Sequence, residues 1–153
     1  MSDPVVYQSS SARFGLPFLF AAQSQREFFV NEALSRIDLL LHVSIQGERS
    51  DPPSTPVEGE VWLVGPEPQG VWAGNAGRLA GYTAGDWTFV APVPGMQVWD
   101  ETAGQTVFYA GGLWARAATP AAPVGGAVVD NEARMAIVNL IASLRAAGIF
   151  SGD

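Results

Sequence analysis

The sequence contains no cysteine and a single histidine, His42. Without thiols the chain has no route to disulfides, iron–sulfur clusters, thiolate zinc sites or a cysteine nucleophile. His42 has no second histidine with which to share a metal, and we interpret it as a structural or surface residue. The sequence also contains neither a phosphate loop nor a Gly-x-Ser-x-Gly elbow. These residues predict no catalytic, metal-binding or cofactor-binding site, and therefore no enzyme.

Positive charge is also scarce, because eight arginines face 15 acidic residues and the net charge is −7. A chain of this charge repels phosphate backbones, so we expect no nucleic-acid partner. The longest apolar run, Phe14 to Ala22, contains Pro17 and is far too short to cross a bilayer. The acidic, polar start MSDPVVYQSSS does not resemble a secretory signal. We therefore expect a protein that is made in the cytoplasm and does not insert into a membrane.

Apolar residues make up 48% of the 153 positions, which is typical of a folded chain with a core. Residues 1–46 predict an N-terminal arm followed by an amphipathic helix from Ser24 to about Leu41. Ser24 and Glu27 fit a capping box at the helix start, and Glu32 and Arg36 form an i,i+4 pair. Apolar residues recur at helical spacing along the helix: Val30, Ala33, Leu34, Ile37, Leu40 and Leu41.

Residues 47–118 predict a β-rich region that packs with this helix as one domain. It opens with a Pro- and Gly-rich connector and continues with four β-forming segments, at 61–64, 87–90, 96–99 and 106–109. The spacing of aromatic, two residues, Gly, one residue, Trp occurs at Tyr82–Trp87 and again at Tyr109–Trp114. Each copy predicts a hairpin with a glycine of positive φ at its turn. Gly70-Val71-Trp72 is a weaker third copy.

A linker at residues 119–127 precedes a C-terminal segment, 128–153, that predicts a second helix. Asp130 suits its N-cap and Gly148 its end. The sequence leaves open whether this tethered helix folds back on its own domain or packs against another chain. Its candidate interface residues lie on one face: Ile137, Leu140, Ile141 and Leu144. The fold class expected for the whole chain is α+β, with a small antiparallel, Trp-rich sheet between helices.

Two functional alternatives rest on side chains in the β-rich region. The five tryptophans suggest a carbohydrate-binding module for host polysaccharide, with Trp72, Tyr82 and Trp114 as candidate glycan contacts, although we expect most tryptophans to serve the core. Glycoside hydrolysis would need paired acids, and Asp100-Glu101, Glu58 and Glu60 are the only candidates. Adjacent strand residues point to opposite faces, so we interpret these acids as solvated loop residues.

Several segments resemble an uncharacterised domain family that occurs in structural proteins of alphaproteobacterial prophages and gene transfer agents. The resemblance covers roughly residues 13–115. It rests on GLPF at 15–18, QSQR at 23–26 and VNEALSRID at 30–38, and on the later PVEGEVW, GVWAG and GDW pieces. The N-terminal segments are the more specific part of the signature.

The resemblance implies a particle component of the head-spike or tail-fibre type, located in the virion or phage-like particle. Longer members carry a fibre region after this domain, whereas this sequence ends after one helix, so the expected role is closest to a spike base that holds a separate fibre. The expected partners are further copies of the chain in a symmetric oligomer, a capsid or tail protein, and a fibre protein, with host polysaccharide reached only indirectly. Gln23, Gln25, Asn31, Glu32 and Arg36 then either tie the helix to the β part, meet a neighbouring subunit, or form a local capping and loop-pinning network.

Overall fold

The computed structural model describes residues 9–20, 26–126 and 130–152. The chain forms two compact units, with the boundary between Pro92 and Val93 in the sequence. The described residues form two α-helices and two small, mostly antiparallel sheets, so the predicted α+β class is confirmed. No helix in the described ranges has the length and hydropathy needed to cross a membrane.

The described residues of the first unit form one α-helix and five strands. The elements in chain order are α1 (Arg26–Leu40), β1 (Ser44–Ile45), β2 (Glu48–Arg49), β3 (Val61–Val64), β4 (Leu79–Thr83) and β5 (Asp86–Val90). Strands β2, β3, β4 and β5 are consecutive neighbours in one sheet, in which only the β2–β3 pair is parallel. Helix α1 agrees with the predicted helix, except that Ser24 of the expected capping box lies outside the described residues.

The core of the first unit forms around Trp72. This side chain is completely buried and packs with Val64, Ala80 and the partly buried Trp62, Trp87 and Phe89. Its ring meets the edge of the Trp87 ring at 90°, with 5.0 Å between centroids. Edge-to-face contacts of this kind stabilise a small core beyond what the burial of apolar surface alone provides.

Trp72 is where two sequence-based interpretations are wrong. Gly70–Trp72 forms a single 3₁₀ turn rather than a third hairpin, with the Trp72 amide donating to the carbonyl of Gln69 at 3.0 Å. This turn directs the indole into the core, whereas a hairpin tip would have left it exposed. Trp72 is therefore excluded as a glycan contact.

The second unit contains β6 (Gln97–Asp100), β7 (Gln105–Ala110), β8 (Leu113–Arg116) and α2 (Asn131–Ala146). The three strands are antiparallel neighbours in chain order. The carboxylate of Asp130 accepts from the Ala133 amide at 2.9 Å and Gly148 has a φ of 69°, so both predicted helix boundaries are confirmed. The segment after α2 returns to the sheet, where the Gly148 carbonyl accepts from the Thr106 amide at 2.8 Å.

The two predicted hairpins are confirmed, and they have the same geometry. Tyr82 lies opposite Trp87 in one and Tyr109 opposite Trp114 in the other, with ring centroids 5.0 and 5.2 Å apart. Each turn has two central residues of positive φ, which is the type I′ geometry that matches strand twist. The central residues are Ala84-Gly85 in the first hairpin and Gly111-Gly112 in the second.

The Ala84 position leads to a stability prediction, because alanine is disfavoured at its φ of 54°. Ala84→Asn should raise the free energy of unfolding by about 0.5–1 kcal/mol, since asparagine tolerates left-handed backbone and Asn-Gly is the preferred type I′ pair. Denaturant titration followed by circular dichroism measures the difference. Gly111 occupies the corresponding position in the second hairpin turn. Gly111→Ala places alanine at a positive φ there and should lower the free energy of unfolding by a similar amount. A loss of stability in Ala84→Asn would contradict this account.

Candidate interaction surface

The polar residues that were expected at an interface on α1 have different partners in the structure. The amide side chain of Asn31 makes two hydrogen bonds to the backbone of Leu19: its Oδ1 accepts from the Leu19 amide at 2.8 Å and its Nδ2 donates to the Leu19 carbonyl at 3.1 Å. Glu32 and Arg36 form the expected i,i+4 ion pair at 2.9 Å, with both side chains half exposed. Gln23 and Gln25 lie outside the described residues. For Asn31, the structure therefore matches the loop-pinning alternative.

A second attachment between the arm and α1 was not found by sequence reasoning. The Asp38 carboxylate, which is buried, accepts from the Ser11 hydroxyl at 2.6 Å, the Arg13 amide at 2.9 Å and the Phe14 amide at 2.7 Å. The Ser11 hydroxyl in turn accepts from the Leu16 amide at 2.9 Å. This set of bonds fixes the arm against the C-terminal half of α1 and satisfies a carboxylate that would otherwise be costly to bury.

Arg13 completes this network at the end of the helix. Its guanidinium donates to the carbonyls of Asp38, Leu39, Leu41 and His42 over 2.8 to 3.3 Å. Helix α1 has no basic residue of its own in its last turn, so this cation from the arm interacts with the negative end of the helix. The sequence signal was an aspartate between Ile37 and Leu39 within an apolar run, because an acid in that setting needs buried donors.

The arm and the sheet leave the apolar side of α1 uncovered. The buried residues of α1 are Asp38 and Leu39, and a Cβ on Gly81 of β4 would overlap the Leu39 side chain. The apolar residues that recur at helical spacing are not covered by the arm or the sheet. Ile37 is 51% exposed, and Val30, Leu40 and Leu41 are also exposed. The helix thus presents an apolar surface to solvent.

Helix α2 is also largely uncovered in a single chain. It has no buried residue, and the candidate interface residues divide into exposed Ile137 and Leu140 and half-buried Ile141 and Leu144. The preceding segment lies against the helix, since the Arg134 guanidinium donates to the carbonyls of Pro123 and Gly125. A groove of about 420 Å³ separates the two, lined by Thr119, Pro120, Ala122, Val138, Ile141, Ala142 and Arg145.

The remaining glycan candidates do not stand free as stacking platforms. Tyr82 and Trp114 are half buried, each beside the aromatic partner of its own hairpin. With Trp72 in the core, the set expected to bind a sugar loses one of its two tryptophans. Sequence reasoning also passed over Trp99, an exposed aromatic on β6 against which Gly148 packs.

Two of the acids considered for hydrolysis, Asp100 and Glu58, have structural roles. Asp100 is buried and pairs with Arg116 at 2.8 Å, and it also accepts from the Ala103 amide at 3.0 Å. The interpretation of Asp100 as a solvated loop residue is therefore wrong, because the β6–β7 turn folds over its carboxylate. Glu58 accepts from the Ala84 amide and supports the first hairpin turn. Among the described residues, no three acidic or histidine side chains group in a way that could hold a metal ion.

Comparison with known proteins gives one result. A family model described as a protein of unknown function, DUF2793, matches residues 30–115, which is more than half of the chain. The match lies within the span over which the sequence resembles an uncharacterised domain family. Neither a curated protein nor a solved structure matches the chain significantly.

Proposed function

We propose that this chain, which belongs to the DUF2793 family of proteins of unknown function, is a structural subunit of a phage-like particle. In this role it forms a symmetric oligomer and serves as a spike base or fibre-attachment adaptor. The role needs no turnover of a substrate. It requires rigid small units that display surfaces for other proteins.

The observation that carries the proposal is the uncovered apolar surface of both helices. Phe29 and Ile37 of α1 and Met135 and Leu140 of α2 all expose much of their side chains. Exposed apolar patches of this kind on a folded chain mark interfaces with other proteins. Each of the two units carries one such helix, and an adaptor needs an apolar surface for each of its partners.

The particle context is supported by the resemblance of the GLPF, QSQR and VNEALSRID segments to structural proteins of prophages and gene transfer agents. The charge of −7 fits a protein that contacts other proteins rather than the packaged nucleic acid. Homo-oligomers usually adopt closed symmetry, which suits a base at a symmetric position on a particle.

The experiment is deletion of the gene in a particle-producing strain, followed by density-gradient purification of the particles, mass spectrometry and electron microscopy. We expect the full chain to be present in wild-type particles and the spike or fibre to be lost on deletion. Complementation with Leu140→Glu should leave the fibre detached, because Leu140 is 59% exposed on α2. Asn139→Glu, a change at the adjacent exposed polar residue, should restore it. Particles that never contain the chain, and that are unchanged by the deletion, would refute the proposal.

A further inference from the structure

One side of α1 carries a continuous row of exposed apolar residues, here called the α1 stripe: Phe29, Val30, Ala33, Ile37 and Leu40. Their spacing from Val30 onward is three, four and three residues. This is the spacing of a and d positions in a heptad, with Phe29 at the flanking g position. A row with this spacing fits another helix better than a sheet or an extended peptide. In such a pair, the side chains of each helix insert into the spaces between side chains of the facing helix.

We propose that the α1 stripe pairs with the α1 stripe of a second copy of this chain. The inference deepens the proposed function, of which self-assembly is a part, by assigning the surface that two copies share. An interface between identical patches is self-complementary, as two-fold symmetry requires.

The area of the stripe is sufficient for such a pair. Phe29 is 74% exposed, and the other four members are also exposed. Together they present on the order of 450 Å² per copy, so a pair that covered them completely would bury at most about 900 Å², close to the apolar share of a standard 1,600 Å² protein–protein interface. The stripe thus supplies the apolar centre of an interface of normal size.

The charges on α1 favour a second copy as the occupant. The chain as a whole carries −7, so two copies repel each other over most of their surface. Helix α1 is an exception, because its exposed charged residues are two arginines, Arg26 and Arg36, and one glutamate, Glu32, with the half-buried Glu27 completing the balance. Two copies therefore meet here without a net like-charge repulsion, and the Glu32–Arg36 pair stays within each helix.

The helix is also ordered before any partner arrives. Asn31 and Asp38 fix the arm along α1, and Arg13 closes its end. Association then costs little backbone entropy, which raises the affinity that a given contact area provides. A short helix is only marginally stable in isolation. Because the arm already stabilises α1, an interface of only two heptads can form.

The test uses sedimentation velocity on the full chain from micromolar to submillimolar concentration. The wild-type chain should self-associate, and Ile37→Glu should raise the dissociation constant by about 100-fold, because it places a charge in the desolvated centre of the interface. The matched control is Phe28→Glu. Phe28 is 75% exposed but precedes Ile37 by nine residues, about two and a half turns, and so lies on the opposite side of the helix. This control should change the dissociation constant by less than about threefold.

A second measurement does not depend on a disruptive substitution. The chain has no cysteine, so a single introduced thiol is the only one that can oxidise. Ala33 is the midpoint of α1, and in an in-register pair it lies close to its own copy in either helix orientation. Ala33→Cys should therefore give a disulfide-linked dimer on mild oxidation, whereas Phe28→Cys should not.

A chain that stays monomeric and gives no disulfide with Ala33→Cys would overturn the inference, as would association that is lost with Phe28→Glu but kept with Ile37→Glu. These failures are distinguishable from failure of the proposed function. A monomer that is still found in purified particles would refute the α1 pairing alone. A dimer that never enters particles would refute the particle role alone.

Discussion

Replacing Asp38 with alanine should lower the free energy of unfolding by about 3–5 kcal/mol, because three donors lose the buried carboxylate that accepts their hydrogen bonds. The Ser11 hydroxyl and the amides of Arg13 and Phe14 all donate to this carboxylate over 2.6 to 2.9 Å. Ser11 and Asp38 are both buried, so water does not readily take the place of the missing oxygen atoms. Denaturant titration measures the loss, and hydrogen exchange at the amides of Arg13 and Phe14 should accelerate with it.

The matched control for Asp38 is Glu32 on the same helix. Glu32 is half exposed and forms an i,i+4 pair with Arg36, so Glu32→Ala should change stability by less than about 0.5 kcal/mol. Asp38→Asn keeps one acceptor oxygen but turns an NH₂ group toward the donors, so an intermediate loss is expected. A typical single hydrogen bond contributes about 1 kcal/mol to the free energy of unfolding. If Asp38→Ala lost less than this amount, the network would contribute little to stability.

The second large effect is expected at Trp72. Trp72→Ala should cost about 3–5 kcal/mol, because it removes the largest buried side chain of the first unit and leaves a cavity beside Val64, Ala80 and Trp87. The loss should appear in the unfolding transition of the first unit, followed by near-ultraviolet circular dichroism of its packed aromatic residues.

Trp114 provides the comparison for Trp72. It is the same residue type and lies in a hairpin beside Tyr109, but it is only half buried. Trp114→Ala should therefore cost no more than about 1–2 kcal/mol. Equal losses at the two positions would show that the buried cluster around Trp72 does not dominate the stability of its unit.

Local signals in the sequence were sufficient to predict the two hairpins and the boundaries of α2. The Tyr82–Trp87 and Tyr109–Trp114 repeats carry their turn residues within six positions, and the two boundaries of α2 depend on Asp130 and Gly148 alone. In each case the hydrogen bonds or dihedral angles that define the feature involve residues close together in the chain. Such features depend little on the rest of the fold.

The features that were not predicted depend on residues far apart in the chain. Asp38 and its donors are separated by 24 to 27 positions, and no periodicity identifies such a pairing. The burial of Trp72 depends on a 3₁₀ turn that the Gly-x-Trp pattern does not distinguish from a hairpin. A helical period identifies the apolar side of α1 but not whether the same chain covers it, so the exposure of Ile37 was visible only in the structure.

The network around Asp38 has a consequence for the order in which the molecule is made. Every hydrogen-bonding group of this network, from Ser11 to the His42 carbonyl, precedes β2 in the chain. Because domains emerge and fold from the N-terminal end during translation, the arm and α1 leave the ribosome before the sheet β2–β5 does. The loop closed by these contacts is short, so its closure entropy is small and the ribosome-bound chain can assemble this part early.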